Sequence, residues 1–168
     1  APIPARTLRG FHAMATTYHI HDIRNIALAG HGASGKTTLV DALLHVSGTV
    51  DRRGSVDQGT SLSDVEEEEK RRKSTIDCHL LHLDWKGKRF HILDTPGYPD
   101  FLGAALSGLA AAENAIIAVS ANSGVEVNTR RVFHESAKQH LGQIIAITKM
   151  DADNVNFVQV LEMIRETF

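Results

Sequence analysis

Cysteine is almost absent from this chain: Cys78 stands alone. A single thiol excludes an internal disulfide and fits a reducing compartment, so a cytoplasmic setting is expected. Long apolar runs are missing too. No uninterrupted stretch approaches the roughly 20 residues that a membrane-spanning helix needs, and no membrane partner is expected. Neither sign of charge is in surplus, with 18 Lys and Arg against 20 Asp and Glu and a formal net charge of -2. That balance supplies no bulk attraction to nucleic acid or to an anionic surface, and direct DNA binding is not expected. The ten histidines fall into no HExxH or Cys/His spacing of the kind that holds zinc. Internal repeats and low-complexity linkers are also lacking. The 168 residues read as one domain, long enough to bury a hydrophobic core.

Residues 1–21 differ from the rest. They contain Arg6 and Arg9 but no acid, and their apolar residues keep no period. Two readings fit: a disordered extension, with Met14 as a start, or the remnant of an organellar targeting segment. The extension is the reading adopted, leaving residues 22–168 as the folded unit.

From Ile23 onward, strand-like and helix-like segments alternate. Ile26-Ala27-Leu28-Ala29 is a short apolar run ending in glycine, the mark of a buried strand entering a turn. A helix is expected over 37–46, with Leu39, Val40, Leu43, Leu44 and Val46 on one side and Gly48 as its stop. The run Glu66 to Lys73 is all charge, and without an apolar stripe it is expected to be a mobile loop. Leu80–Trp85 and Phe90–Leu93, joined through Lys86-Gly87-Lys88, read as an antiparallel hairpin. Then come an Ala-rich helix over 102–112, a strand over 115–119, a helix over 127–141, a strand over 144–147 and a helix over 155–167. The last helix presents Val158, Leu161, Ile164 and Phe168 at helical spacing. Such alternation predicts a three-layer α/β domain: a mostly parallel sheet with one antiparallel hairpin strand, covered on both faces.

Gly30-His31-Gly32-Ala33-Ser34-Gly35-Lys36-Thr37 matches GxxxxGK[ST] between a predicted strand and a predicted helix. The glycines let the backbone curl so that successive N–H groups point at a phosphate. Lys36 brings a charge for the β and γ oxygens, Thr37 a hydroxyl for Mg²⁺, and Thr38 continues the motif. The helix that follows aims its positive end at the same phosphates.

Two further motifs end predicted strands. Asp94-Thr95-Pro96-Gly97 follows Phe90–Leu93, placing a carboxylate where it can serve Mg²⁺ and the Gly97 N–H where it can meet a γ-phosphate. Thr148-Lys149-Met150-Asp151 follows the strand over 144–147 and resembles the [NT]KxD pattern. Its Asp151 can accept two hydrogen bonds from the N1 and 2-amino groups of guanine, while the Lys149 stem lies along the base. Threonine stands at the first position in place of the commoner asparagine. Thr75, at the end of the polar stretch, is read as a switch threonine that closes onto Mg²⁺ and the γ-phosphate.

These residues resemble the translational GTPases, and among them elongation factor G and its elongation-factor-G-like paralogues. The resemblance spans roughly residues 23–154 and rests on Arg24-Asn25-Ile26, Thr37-Thr38, Asp94-Thr95-Pro96-Gly97, Asp100-Phe101, Ser123-Gly124-Val125-Glu126 and Lys149-Met150-Asp151. It implies a Ras-like G domain of the P-loop class, the cofactors GTP/GDP and Mg²⁺, and a full-length protein that works on the ribosome. Three departures qualify it. Tyr98 stands where the family places histidine to position the attacking water; a phenol, with an ordinary pKa of about 10, can donate to water but is a poor base at neutral pH. Ala33 replaces the family's phosphate-loop aspartate. The family's serine-alanine guanine loop has no match before Phe168, so the domain is expected to be C-terminally truncated, with the strand over 144–147 on an apolar edge. GTP binding and hydrolysis, slow or dependent on a partner, is the functional expectation that follows; a nucleotide switch that recruits a partner with little turnover is its alternative. An ATP-using P-loop enzyme and a partly folded fragment are the remaining alternatives.

Overall fold

A computed structural model describes residues 17–153 and 155–168. Among the described residues, five strands form one sheet: β1 Ile23–Gly30, β2 His79–Trp85, β3 Lys88–Asp94, β4 Asn114–Ser120 and β5 Gly142–Thr148, in the spatial order β2-β3-β1-β4-β5. Only β2 runs antiparallel, paired with β3; the other neighbours are parallel. The expected mostly parallel α/β sheet with a single hairpin strand is therefore what the chain forms. The hairpin closes on Lys86 (φ 49°) and Gly87 (φ 75°), two left-handed residues whose twist matches that of the strands they join.

The helices are α1 Lys36–Val46, α2 Glu67–Arg72, α3 Leu102–Ala110, α4 Val127–Lys138 and α5 Phe157–Thr167. Alternation along the strands assigns them to the faces. Leu28, Leu83 and Ile92 point to one face and meet Val40 and Leu44 of α1. Ala27, Ala29, Ala115 and Ile117 point to the other and meet Leu109 of α3 and Val132 of α4. Further along that second face, Val119, Ile145 and Ile147 pack with Val160 and Ile164 of α5. The small Ala27, Ala29 and Ala115 let helices approach the central strands closely, and all are fully buried.

Several boundaries and faces differ from expectation. The charged run is not a loop: Glu67–Arg72 is a helix, opened by a capping box in which Glu66 and Glu69 satisfy each other's backbone N–H groups. Its anchor is polar, which is why no apolar stripe announces it. In α5 the inward residues are Val160 and Ile164, whereas Val158 is 59% exposed; Asn156 caps the helix by accepting from the N–H groups of Val158 and Gln159. Val46, placed on the inner side of α1, is 68% exposed. β5 is the edge strand, and its Ile144 is 58% exposed. Residues 17–21 lead into the sheet, with the Arg89 guanidinium over the Tyr18 ring; the rest of the span read as an extension, residues 1–16, lies outside the described residues.

Candidate functional site

The parallel strands β1, β3, β4 and β5 all end at one edge of the sheet, so the loops that follow them converge there. The loop after β1 turns through Gly30 (φ 147°), Ala33 (φ 57°) and Gly35 (φ 85°) before α1 begins at Lys36. Gly30 and Gly35 adopt these angles at little cost. Ala33 does not, and its left-handed backbone costs about 1 kcal/mol; aspartate and asparagine tolerate that region better.

The loop folds around Lys36. Its ammonium donates to the His31 carbonyl at 2.8 Å and lies 3.4 Å from that of Gly30, with the side chain 5% exposed. Burial lowers its pKa to about 8, against the opposing pull of Asp94 and Glu126. Behind the loop, the Thr148 hydroxyl lies 2.7 Å from the Ser34 carbonyl and 3.3 Å from that of Val119, and the Ser34 contact ties the end of β5 to the phosphate loop. His31 faces Glu126, its Nε2 3.5 Å from Oε1.

Next to Lys36 lies a chain of oxygens. Thr37 donates its hydroxyl to Asp94 Oδ2 at 2.8 Å, and Ser63 donates to the same atom at 2.6 Å. Thr75 donates to Asp64 at 3.0 Å, while the Thr37 and Thr75 hydroxyl oxygens stand 3.0 Å apart. Each hydroxyl has one proton. If both protons point at carboxylates, the two oxygens face each other through lone pairs, which repel unless a cation lies against them or a carboxyl takes up a proton. Asp94 is fully buried and its Oδ1 has no hydrogen-bond partner among the described residues. Burial pushes the carboxyls of both Asp94 and Asp64 upward, against the hydrogen bonds they accept. An all-oxygen set of two hydroxyls and a free carboxylate oxygen suits a hard divalent cation such as Mg²⁺. The Thr37–Thr75 spacing matches neighbouring ligands of an octahedral ion, about 2.9 Å apart for bonds of about 2.1 Å. The residues present fit the metal.

A cavity of about 230 Å³ opens over these groups, lined among others by Gly32, Ala33, Gly35, Lys36, Thr37, Thr38, Thr75, Gly97, Tyr98 and Lys149. Ten of the residues singled out from sequence thus share one cavity. Gly30, His31 and Ser34 sit within the loop beneath it. Thr95 and Pro96 are buried behind it, with Thr95 donating its N–H and its hydroxyl to the Leu28 carbonyl at 3.2 and 2.6 Å. Gly97 passes so close to the phosphate loop that a Cβ there would stand 2.5 Å from the His31 carbonyl carbon. Its own carbonyl accepts from the buried Asn128 at 2.7 Å. The Tyr98 ring covers Gly32, where a Cβ would lie 2.8 Å from the ring. Asp151 lies outside the lining, on an exposed turn that follows the left-handed Lys149 (φ 55°). Sequence reasoning missed Ser63, Asp64, Glu69 and Asn128. The first three lie in a stretch without period or motif, and Asn128 sits at the start of an ordinary helix, so no local signal separated them from surface polar residues.

A single phosphate-loop α/β domain, with hydroxyl and carboxylate oxygens gathered beside a buried lysine, defines the nucleotide-binding P-loop class. Comparison with known proteins narrows this. The family model for the elongation factor Tu GTP binding domain matches residues 21–168, and the chain belongs to that family. It is 34% identical over 146 residues to an elongation factor G-like protein of Mycobacterium tuberculosis, covering 87% of this chain and 20% of that protein. It is 36% identical over 144 residues to the tetracycline resistance protein TetW of Butyrivibrio fibrisolvens, covering 86% of this chain and 22% of that one. A crystal structure of a Thermus thermophilus protein superposes with a TM-score of 0.83 at 40% identity, over 86% of this chain and 22% of that chain. The bacterial selenocysteine-specific elongation factor EF-Sec superposes at 0.65 with 26% identity, again over 86% and 22%. The chain spans about a fifth of the length of these relatives.

Proposed function

We propose that this chain binds GTP or GDP with Mg²⁺ in the cavity over Lys36 and hydrolyses GTP there, as the nucleotide-binding part of a protein acting on the ribosome. One observation supports it above all: Lys36, Thr37 and Thr75 line one cavity, the two hydroxyl oxygens 3.0 Å apart, and Asp94, fully buried outside the lining, accepts the Thr37 hydroxyl at 2.8 Å. Lys36 faces the β and γ oxygens, and the backbone N–H groups from Gly32 to Thr38 cradle the phosphates. Thr37 would hold Mg²⁺ through its hydroxyl with the Asp94 carboxylate beside it, and Thr75 would close onto the ion and the γ-phosphate only in the triphosphate state; when bound, the ion would neutralise charge on the phosphoryl group. Thr95 and Pro96 fix the turn that offers the Gly97 N–H to the γ-phosphate. Asp151 selects guanine, with Thr148 and Lys149 bracing the loop and the base. Calorimetry with GTP, GDP and ATP in the presence of magnesium tests this: heat with the guanine nucleotides and none with ATP is expected, and equal binding of ATP would remove the role given to Asp151.

A second reading has its own support. Tyr98 lies over Gly32 at the cavity mouth, and a tyrosine there can donate to a water but is a poor acceptor of its proton at neutral pH. That favours a nucleotide switch with slow turnover and an output through partner recruitment. Single-turnover GTP cleavage, with and without ribosomes, separates the two. The names of relatives, an elongation factor G-like protein and a selenocysteine-specific elongation factor, support a setting in translation for the parent protein.

A further inference from the structure

Glu69 lies in the run that reads as charge alone, yet its side chain has no exposure at all. Both of its oxygens are engaged. Oε2 accepts the Glu66 N–H at 3.2 Å. Oε1 accepts the Ile76 N–H at 2.8 Å and the Asp77 N–H at 3.3 Å, and it lies 2.7 Å from His79 Nε2. Burial alone would push this carboxyl up; the hydrogen bonds from His79, Ile76, Glu66 and Asp77 together outweigh it and hold the group below the usual carboxylate range. The backbone joins in. α2 ends on the left-handed Lys73 (φ 53°), and the Ser74 N–H returns to the Glu69 carbonyl at 3.1 Å.

Glu69 thus clasps the segment 74–79 from both sides, through its main chain before Thr75 and through its carboxylate after it. Thr75 is the residue this clasp encloses, and it is the one that reaches across to Thr37. Among the described residues, no hydrogen bond of Glu69 falls on the phosphate loop or on Asp94, and those that reach the cavity lining do so through the backbone N–H groups of Lys73 and Ser74. Its hydrogen bonds act on the site through the segment that carries Thr75, while its charge also bears on Asp64, the acceptor of the Thr75 hydroxyl; the His79 variants, which leave the Glu69 charge in place, separate the two.

We propose that Glu69 is a positioning residue whose bonds to Ile76, Asp77 and His79 hold Thr75 at the cavity, and that it thereby sets the preference of the site for a triphosphate over a diphosphate nucleotide. This rests on the nucleotide-binding reading above. A ligand that engages Thr75 gains from having the segment already closed; one that lacks a γ-phosphate and does not engage it is indifferent. Removing the clasp lowers the populated fraction of the closed form and weakens only the first kind of ligand.

The test is Glu69→Gln in this chain. The change keeps the volume and turns one acceptor into a donor that faces N–H groups. Binding of GDP and of a non-hydrolysable GTP analogue, each with magnesium, is measured by calorimetry, alongside amide exchange at Ile76 and Asp77. GDP affinity is expected to stay within about twofold while analogue affinity falls roughly tenfold, with amide protection lost. His79→Gln, which retains a side-chain N–H toward Glu69, is expected to keep the wild-type ratio, and His79→Ala to lower it. A ratio that stays at the wild-type value in Glu69→Gln, or equal weakening of both nucleotides, overturns the proposal and leaves Glu69 a purely structural residue. A wild-type chain that binds neither nucleotide overturns the underlying reading and this one with it. If Glu69→Gln does not fold, the two His79 variants decide by the same ratio.

Discussion

The proposed site depends on a positive charge that its surroundings oppose. Lys36 is 5% exposed, and burial brings its pKa from 10.5 to about 8. If the phosphates need the ammonium, affinity follows the fraction charged in the free protein. That fraction is roughly three quarters at pH 7.5 and one quarter at pH 8.5, so GTP–Mg²⁺ binding is expected to weaken roughly threefold across that interval. Bound phosphate restores the lysine's proton, so binding at pH 8 is expected to take up about half a proton, read from calorimetry in buffers of different ionisation heat. Stability moves the other way. Above pH 8 the unfolded chain keeps a lysine proton that the folded chain has released, so the ligand-free protein gains stability as pH rises toward 10.5. The gain tends to about 3 kcal/mol, and the difference from Lys36→Met isolates it from other titrations. Falling affinity with rising stability is a signature that few other groups would produce. Affinity independent of pH, with no proton uptake, would refute a Lys36 that is partly uncharged in the free protein and recharged by the phosphates.

Four further outcomes are expected. Asp94→Asn removes a buried carboxylate whose Oδ1 has no partner among the described residues. It is expected to raise the ligand-free melting temperature, seen by calorimetric scanning, while removing the magnesium dependence of nucleotide binding; a lower melting temperature would mean that the Ser63 and Thr37 hydrogen bonds outweigh the burial cost. Gly97→Ala forces a methyl against the His31 backbone, which cannot yield as a side-chain tip would. A loss of about 1–3 kcal/mol in denaturant unfolding is expected, with nucleotide binding weakened at least as much. Thr148→Ala deletes the contact between β5 and the phosphate loop, for about 1–2 kcal/mol of stability and a faster nucleotide off-rate by stopped flow. Tyr98→His is expected to raise single-turnover GTP cleavage, and an unchanged rate would leave that position without a part in the chemistry.

Much of the fold was legible because its signals are local. The runs Ile26–Ala29 and Ala115–Val119 are apolar throughout, as strands buried on both faces must be, and the Lys86-Gly87 turn announces its hairpin. The phosphate loop was legible for the same reason: its glycines answer backbone requirements within one turn of chain. Polar anchoring was not legible. Glu69 looks like its neighbours in a charged run, and only the return of Ile76, Asp77 and His79 onto it makes it a buried residue. On α5 the expected Ile164, and Phe168 at its end, do pack inward, but Val160, one turn before Ile164, is buried where Val158 was expected, because both fit helical periodicity almost equally well.

The sequence alone determined which strands and turns form and which residues hold phosphate-binding chemistry, since period, glycine placement and motif spacing act over a few residues. Tertiary structure alone decided that Ser63 and Asp64 join Thr37, Thr75 and Asp94, up to 57 residues apart, in one patch of oxygens. It also decided how far Lys36 is removed from water. Hydrogen-bond partners and burial depend on which strands become neighbours, and the order β2-β3-β1-β4-β5 is a property of the packed core that no short segment encodes.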